Sequence, residues 1–460
     1  MLTNRIGILA ALVGLGLAGG HCLAQATAPT VFVGNNGNLL GAVTSLQPDD
    51  TGALVEVDYL VIDQRAPGEP SLPGTNVEGI ALSADGRFLA TGHATALNPE
   101  QLTIIEVASD GTMQIVDRFQ VPNAPLGMAW VDDRYLVVAE SNFGSSYARV
   151  YRYTPGATPM TGSLVETDAT PEGNFITNIE SDPSRRLIFV QDSAFGGGIA
   201  NVTSYEVDAD GRLSEAGFVF TAPNFALDMA LAPNGQWLYA GGGISGDGHA
   251  VLGMTVGFAG ALDLIPGSPF TSPGDSPAWV TVSPDDRFVY AGHGGDATVQ
   301  GFGIDQASGA LSFLGVSFDV GTQGTLGTVG TLALPGFNIL LVTDNSTVID
   351  GISGIYSFRI EDTGDITQIG DIVTLQGSQP DNFVVWQPPV DDCRADLDGD
   401  GQLTLFDFLA FQKPVRRRRP RRRLRRRRAA DAVRLPGLPE RVRRRLRVTP
   451  EPGGPTPARS

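Results

Sequence analysis

Short apolar runs separated by tight polar turns recur along most of the chain, and no long amphipathic heptads interrupt them. The runs repeat as a unit. Ile80–His93 reads IALSADGRFLATGH, Trp130–Ser141 WVDDRYLVVAES, Ile179–Ser193 IESDPSRRLIFVQDS, Met229–Gly243 MALAPNGQWLYAGGG and Val280–Gly294 VTVSPDDRFVYAGHG. A weaker sixth copy is Val329–Asn345, VGTLALPGFNILLVTDN. Each copy is an apolar strand, a turn rich in Asp, Pro, Asn or Gly, and a second apolar strand. Asp-Gly and Pro-Asn-Gly supply the positive φ that a tight hairpin needs. A further strand pair usually follows, as in Ala297–Val316, where Ala307-Ser308-Gly309 turns one strand into the next.

Four strands at a spacing of roughly fifty residues make one blade of a β-propeller. Such a sheet cannot bury both faces alone, so blades stack and close into a ring. Six complete repeats run from about Thr75 to Leu375. Val31–Leu60 reads as a blade lacking its first strand, and Asp381–Gln387 as a first strand lacking its blade. Pairing the two closes the ring at seven and leaves no open edge. The predicted fold is therefore all-β, a seven-bladed β-propeller over residues 30–389. The phrase SPDDRFVYAGHGGDATVQGFGIDQASGALSFLG (Ser283–Gly315) resembles the YVTN-repeat, lactonase-like seven-bladed propellers, over roughly residues 30–390. That resemblance implies the fold. For activity it leaves lactone hydrolases of the 6-phosphogluconolactonase-like kind, cycloisomerases and binding proteins open.

Candidate chemistry comes from aligning the second strand of every blade. The residue five positions in is Asn35, His93, Glu140, Asp192, Gly242, His293 and Asp344 in turn. These positions are expected at one level of the ring, lining the central channel. Glu140, Asp192 and Asp344 offer carboxylates for a calcium ion or for acid–base work, and His93 or His293 offers a base to activate water against a lactone carbonyl. Against this, Asp and Asn also belong at such positions as turn caps, and Gly242 brings no side chain. The His-Pro-Arg phrases that the resemblance associates with catalytic relatives are missing from the blade starts Asn123–Trp130 and Asp275–Val282.

Composition fits an all-β chain: 58 Gly, 31 Pro and only 18% charged residues in 460. The net charge of −18 hides two opposed regions. Residues 413–460 hold 19 of the 32 basic residues and 3 of the 50 acidic ones, which leaves 13 against 47, a net of −34, in residues 1–412. That body repels nucleic acid and anionic lipid. Residues 1–26 read as an export signal, with Arg5, the apolar Ile6–Leu17 and the small-x-small site Ala24-Gln25-Ala26. A secreted, periplasmic or surface-associated protein follows, with Cys393 as its lone cysteine.

The sharpest motif lies at 391–412. Asp396, Asp398 and Asp400 take positions one, three and five of a calcium loop, Gly401 allows the sharp turn, Gln402 offers a carbonyl, Thr404 takes position nine, and Asp407 closes the loop. Phe406, Phe408, Leu409 and Phe411 give the following helix an apolar face. Asp at position twelve, and Pro388-Pro389 where an EF-hand has a helix, make the segment resemble one dockerin repeat. The resemblance implies bound Ca²⁺, a second such repeat and a cohesin-like or cell-surface partner.

Instead, residues 413–460 form an arginine- and proline-rich tail, beginning with the chain's single lysine, Lys413. As written it is a disordered basic arm suited to polyanions. A one-base frame slip near Gln412 and Lys413 offers another origin. Back-translated with permitted codons from Arg423 and read one base later, the tail gives DFDGDGRLTLFDFLAFQNAFDAGC. Its first part differs from DLDGDGQLTLFDFLAFQ (Asp396–Gln412) at only two positions. The restored segment is a second calcium repeat, and the Cys codon whose final base is the first of Arg447 supplies a partner for Cys393. The functional expectation is a binding or scaffold propeller anchored through a dockerin-like segment. The alternative is a lactone hydrolase acting at the channel.

Overall fold

The computed structural model describes residues 29–387, apart from 38, 98, 143, 194–199, 222–224, 243–248, 321–329, 345–352 and 378–379. These residues form seven antiparallel sheets. Blade 4 shows the plan: Ile176–Asp182, Leu187–Asp192, Asn201–Val207 and Leu213–Phe220 pair in chain order. Blade 5 adds a short strand, Phe270–Thr271, beside Ala250–Val256. Blade 1 is composite. The closing strand Pro380–Trp386 pairs with Thr30–Gly37, Thr30 opposite Trp386 and Val33 opposite Phe383. Ring closure is thus as expected, and it covers the edge that the apolar Val31–Val33 would otherwise present.

Burial is graded from the axis outward. Second strands such as Phe88–His93 and Trp237–Gly242 are buried at every position, which is why they read as unbroken apolar runs in the sequence. Outer strands such as Leu213–Phe220 have no fully buried position. Between successive sheets lie seven clusters of buried apolar side chains, one at each junction. At the junction of blades 4 and 5, Phe189 and Val202 meet Met229, Leu238 and Leu252. At that of blades 1 and 2, Phe32 and Val43 meet Ile80, Leu89 and Ile105. Each fully buried side chain of this kind contributes about 1.5–3 kcal/mol over leaving it in water, so cohesion is shared around the ring.

Turn chemistry and closure meet at Gly86. Its φ is +72°, and a Cβ there would stand 2.0 Å from the Trp386 indole Nε1. Only glycine lets the blade 2 hairpin turn seat on the closing strand. The export segment, the calcium loop Asp396–Asp407 with its helix, and the basic tail lie outside the described residues. Among the described residues no helix is long and apolar enough to cross a membrane.

Candidate active site

First strands of consecutive blades neighbour one another around the axis, so they, and not the second strands, wall the channel. They are Pro380–Trp386, Val77–Leu82, Ala124–Trp130, Ile176–Asp182, Phe225–Leu231, Pro277–Val282 and Thr331–Ala333, for blades 1 to 7. In blades 1 to 6 the pairing of first to second strand skips at one shared level, for example between Val77 and Gly79, Ile176 and Asn178, and Pro277 and Trp279. A bulge there breaks strict alternation and re-aims side chains. By the repeat register, the residues just past the skip are Gly79, Gly127, Asn178, Asp228, Trp279 and Asn382. Backbones pass closely at this level: a Cβ on Gly79 would sit 2.3 Å from the Leu126 carbonyl oxygen, and one on Gly127 2.6 Å from that of Thr177.

The five residues proposed from the second strands therefore sit elsewhere than expected. They share one level but are screened from the axis by the first strands, and their described contacts are made to the chain leading into the blade or to the blade's own strands. His93 is fully buried. Its Nδ1 lies 3.2 Å from the Thr75 carbonyl oxygen, and its Nε2 lies 3.1 and 3.0 Å from the Thr91 and Thr103 hydroxyls. These partners suit a neutral ring with the proton on Nδ1. His293, also fully buried, accepts from the Ser272 hydroxyl at Nε2 (2.7 Å), and its Nδ1 faces the Thr298 carbonyl at 3.3 Å. Burial pulls both imidazoles down to about 4. Neither is exposed to water that it could activate.

Asp192 accepts from the backbone N–H groups of Asn174 (2.8 Å) and Phe175 (2.9 Å), capping the turn before blade 4. Glu140 is fully buried, receives the Tyr151 hydroxyl and lies 3.3 Å from the Arg149 Nε. Burial raises it to about 7 against the opposing pull of Tyr151 and Arg149. Asp344 is buried at the same level in blade 7. Among the described residues no group of three or more His, Cys, Asp or Glu is arranged to hold a metal ion. At His93, Asp192 and His293 the recurring polar position fastens the chain that enters the blade, and at Asp192 this is the turn-capping use of Asp.

What lines the channel instead is a different polar set. A cavity of about 490 Å³ is walled by residues of blades 1 to 6, among them Glu78, Asn178, Glu180, Asp228, Trp279 and Asp381. Asp228 stands at its centre of connectivity. Its Oδ1 accepts from the Asn178 amide of blade 4 (2.9 Å), and its Oδ2 from the Val280 N–H of blade 6 (3.2 Å). Burial raises Asp228 to about 7; these hydrogen bonds pull the other way, and the nearby Asp381 charge adds to the rise. Glu180, on the neighbouring blade, is raised to about 8 by burial and then by the Asp228 charge. Of the two, Glu180 is the one that keeps its proton to higher pH, so as pH rises the charge appears first on Asp228. Asn382 donates to the Glu78 carbonyl oxygen and ties the closing strand to blade 2 at the same level. No lysine or arginine lines the cavity among the described residues.

Sequence reasoning passed over Glu78, Asn178, Glu180, Asp228, Asp381 and Asn382. The signal was present one strand earlier than where it was sought. Asn178, Asp228 and Asn382 interrupt otherwise apolar first strands at one repeat position.

No family model matches the chain, and no curated protein does. Solved structures do. A candidate 6-phosphogluconolactonase from Bacteroides fragilis matches with a TM-score of 0.61 at 17% identity, over 78% of this chain and 98% of that one. A periplasmic gluconolactonase from Pseudomonas aeruginosa gives 0.58 at 18% identity, over 79% and 100%. A candidate 6-phosphogluconolactonase from Bacteroides uniformis gives 0.59 at 16%, over 78% and 99%. At this identity the likeness is one of fold: the chain is built as the lactonase-like β-propellers are.

Proposed function

We propose that the propeller hydrolyses a lactone in its channel, with Asp228 as general base and Glu180 as the proton-carrying partner. The observation that carries the reading is the pair itself: two carboxyls from adjacent blades, their pKa values near neutrality, in one cavity. Asp228 takes a proton from water as the water oxygen bonds to the lactone carbonyl carbon. The ring C–O bond then breaks, and Glu180 gives its proton to the leaving ring oxygen. The product is an open hydroxy acid. Transfer of the proton from Asp228 to Glu180 restores the pair. The fold likeness to lactonase-like propellers supports the reaction class, and it leaves the residues to be argued from this channel alone.

The test is the initial rate of hydrolysis over a panel of lactones. The rate should need Asp228 charged and Glu180 protonated, rising through pH about 7 and falling through about 8. Asp228→Asn should lower kcat by roughly 10²–10⁴. Undiminished hydrolysis in that variant would remove the mechanism.

A second reading concerns the C-terminus, and the spacing of its hard oxygen donors favours it. Asp396, Asp398, Asp400, Gln402, Thr404 and Asp407 are the set to hold one Ca²⁺, and the ion would order the loop that carries them. In this reading the export signal at 1–26 places the propeller outside the cytoplasm, and the dockerin-like segment attaches it to a cohesin-like or cell-surface partner.

A further inference from the structure

We propose that the channel selects uncharged lactones and rejects phosphorylated ones. This rests on the channel being the site of lactone hydrolysis, and it adds the class of substrate.

A phosphate ester carries about −1.5 to −2 charge near neutral pH and is held in proteins by arginine, lysine or clustered backbone N–H groups. The channel offers the reverse. Glu78, Glu180, Asp228 and Asp381 reach it from four different blades, and at least one of them must be charged for the hydrolysis proposed.

The arginines are placed where they cannot compensate. None lies on a first strand. Arg118, Arg149, Arg152 and Arg359 are on third and fourth strands. Several in the hairpin turns are held by acids, Arg185 by Asp182 at 2.5 Å, Arg186 by Asp132 at 2.5 Å and Arg87 by Glu106 at 2.9 Å, while Arg212 donates to the Thr167 carbonyl oxygen. Arg185 also spends its guanidinium on the Gly235 and Gly257 carbonyl oxygens of the next blade. The chain up to residue 412 contains no lysine at all and has a net charge of −34. An approaching dianion thus meets a repelling field outside and a wall with carboxyl groups and no basic side chain among its described residues inside. A neutral polyol lactone meets carboxylates that accept from its hydroxyls, and the flat Trp279 side chain on the wall.

The experiment compares two ligands that differ only in the phosphate. A six-membered sugar lactam, which resists hydrolysis, and its 6-phosphate are titrated into the full chain by calorimetry. Hydrolysis of the corresponding lactones is followed in parallel. The expected result is at least 100-fold tighter binding of the unphosphorylated lactam, with the gap narrowing in Glu78→Gln/Asp381→Asn and at high salt. Equal or tighter binding of the phosphate overturns the proposal, and so does failure of both lactams to bind. Preference for the neutral lactam with no lactone hydrolysed would uphold the charge filter while removing the hydrolase reading.

Discussion

Acid should unfold this propeller partly through His93, by a calculable amount. The imidazole is fully enclosed in blade 2, and its two nitrogens are occupied by a carbonyl oxygen and two hydroxyls. Protonation would bury a cation, and this burial outweighs the Thr75 carbonyl and the nearby Asp63 charge, which is why its pKa falls from 6.5 to about 4. In the unfolded chain the ring takes a proton near 6.5, and in the folded chain only near 4. The stability it contributes is therefore fully present above pH 6.5 and is lost as pH falls toward 4. Each pKa unit corresponds to about 1.4 kcal/mol, so the loss is on the order of 3 kcal/mol. The assay is urea unfolding of the wild type and of His93→Gln in steps from pH 7.5 to 4. Glutamine keeps a polar amide of similar reach and does not titrate. The wild-type advantage should shrink by about 3 kcal/mol across that window, while any lactone hydrolysis at pH 7.5 keeps its kcat. A wild-type advantage that is flat with pH would mean a solvated imidazole, and would return His93 to the channel as a candidate base.

Three further outcomes follow from named contacts. Gly86→Ala places a Cβ against the Trp386 indole at a backbone angle that alanine resists, so the ring's closing seam should weaken by roughly 1–3 kcal/mol; an unchanged melting temperature would show that the turn does not seat there. Asn178→Ala removes a hydrogen bond that holds the Asp228 pKa down, so the acid limb of the pH–rate profile should move upward, with kcat reduced and KM little changed; a purely structural role would leave that limb in place. Calcium should bind the full chain with about one ion per molecule, and Asp398→Ala should abolish binding, read by calorimetry after chelator treatment; an unaltered titration would dissociate the motif from the ion.

The fold was legible because its determinants are local and repeated. Second strands such as Phe88–His93 are largely apolar and wholly buried, since sheets pack on both their faces, and turns rich in Asp, Pro, Asn or Gly mark the first hairpins. Closure was legible as well, from a lone strand at 381–387 and a blade missing its first strand. The site was not. Its level depends on a bulge, and a bulge is one extra residue in one strand of a pair, invisible until the pairing is known. Aligning repeats by their second strands found a genuine recurring position, but one whose polar groups fasten the incoming chain: Asp192 on Asn174 and Phe175, His293 on Ser272. Recurrence at the same place in every blade is what a shared structural duty produces.

A binding or catalytic residue in a propeller has the opposite signature, and the channel shows why. The ring needs seven like junctions, and it obtains them from apolar second and third strands that have little freedom to vary. The first strands serve each junction with one face and the channel with the other. At the bulge level a blade can supply Gly, as at Gly79 and Gly127, or Asn, Asp or Trp, as at Asn178, Asp228 and Trp279, with no change to the cluster behind it. Asymmetry among blades at one register position is thus the mark of a site on a symmetric frame. The set Asn178, Asp228, Trp279 and Asn382 meets that criterion on the channel wall, whereas His93, Asp192 and His293 on the second strands are occupied by the chain entering their blades. The same reasoning locates selectivity. Because each blade contributes one residue per level, the character of the channel is set by a handful of independent substitutions, and here the acids Glu78, Glu180, Asp228 and Asp381 come with no basic residue on the described wall.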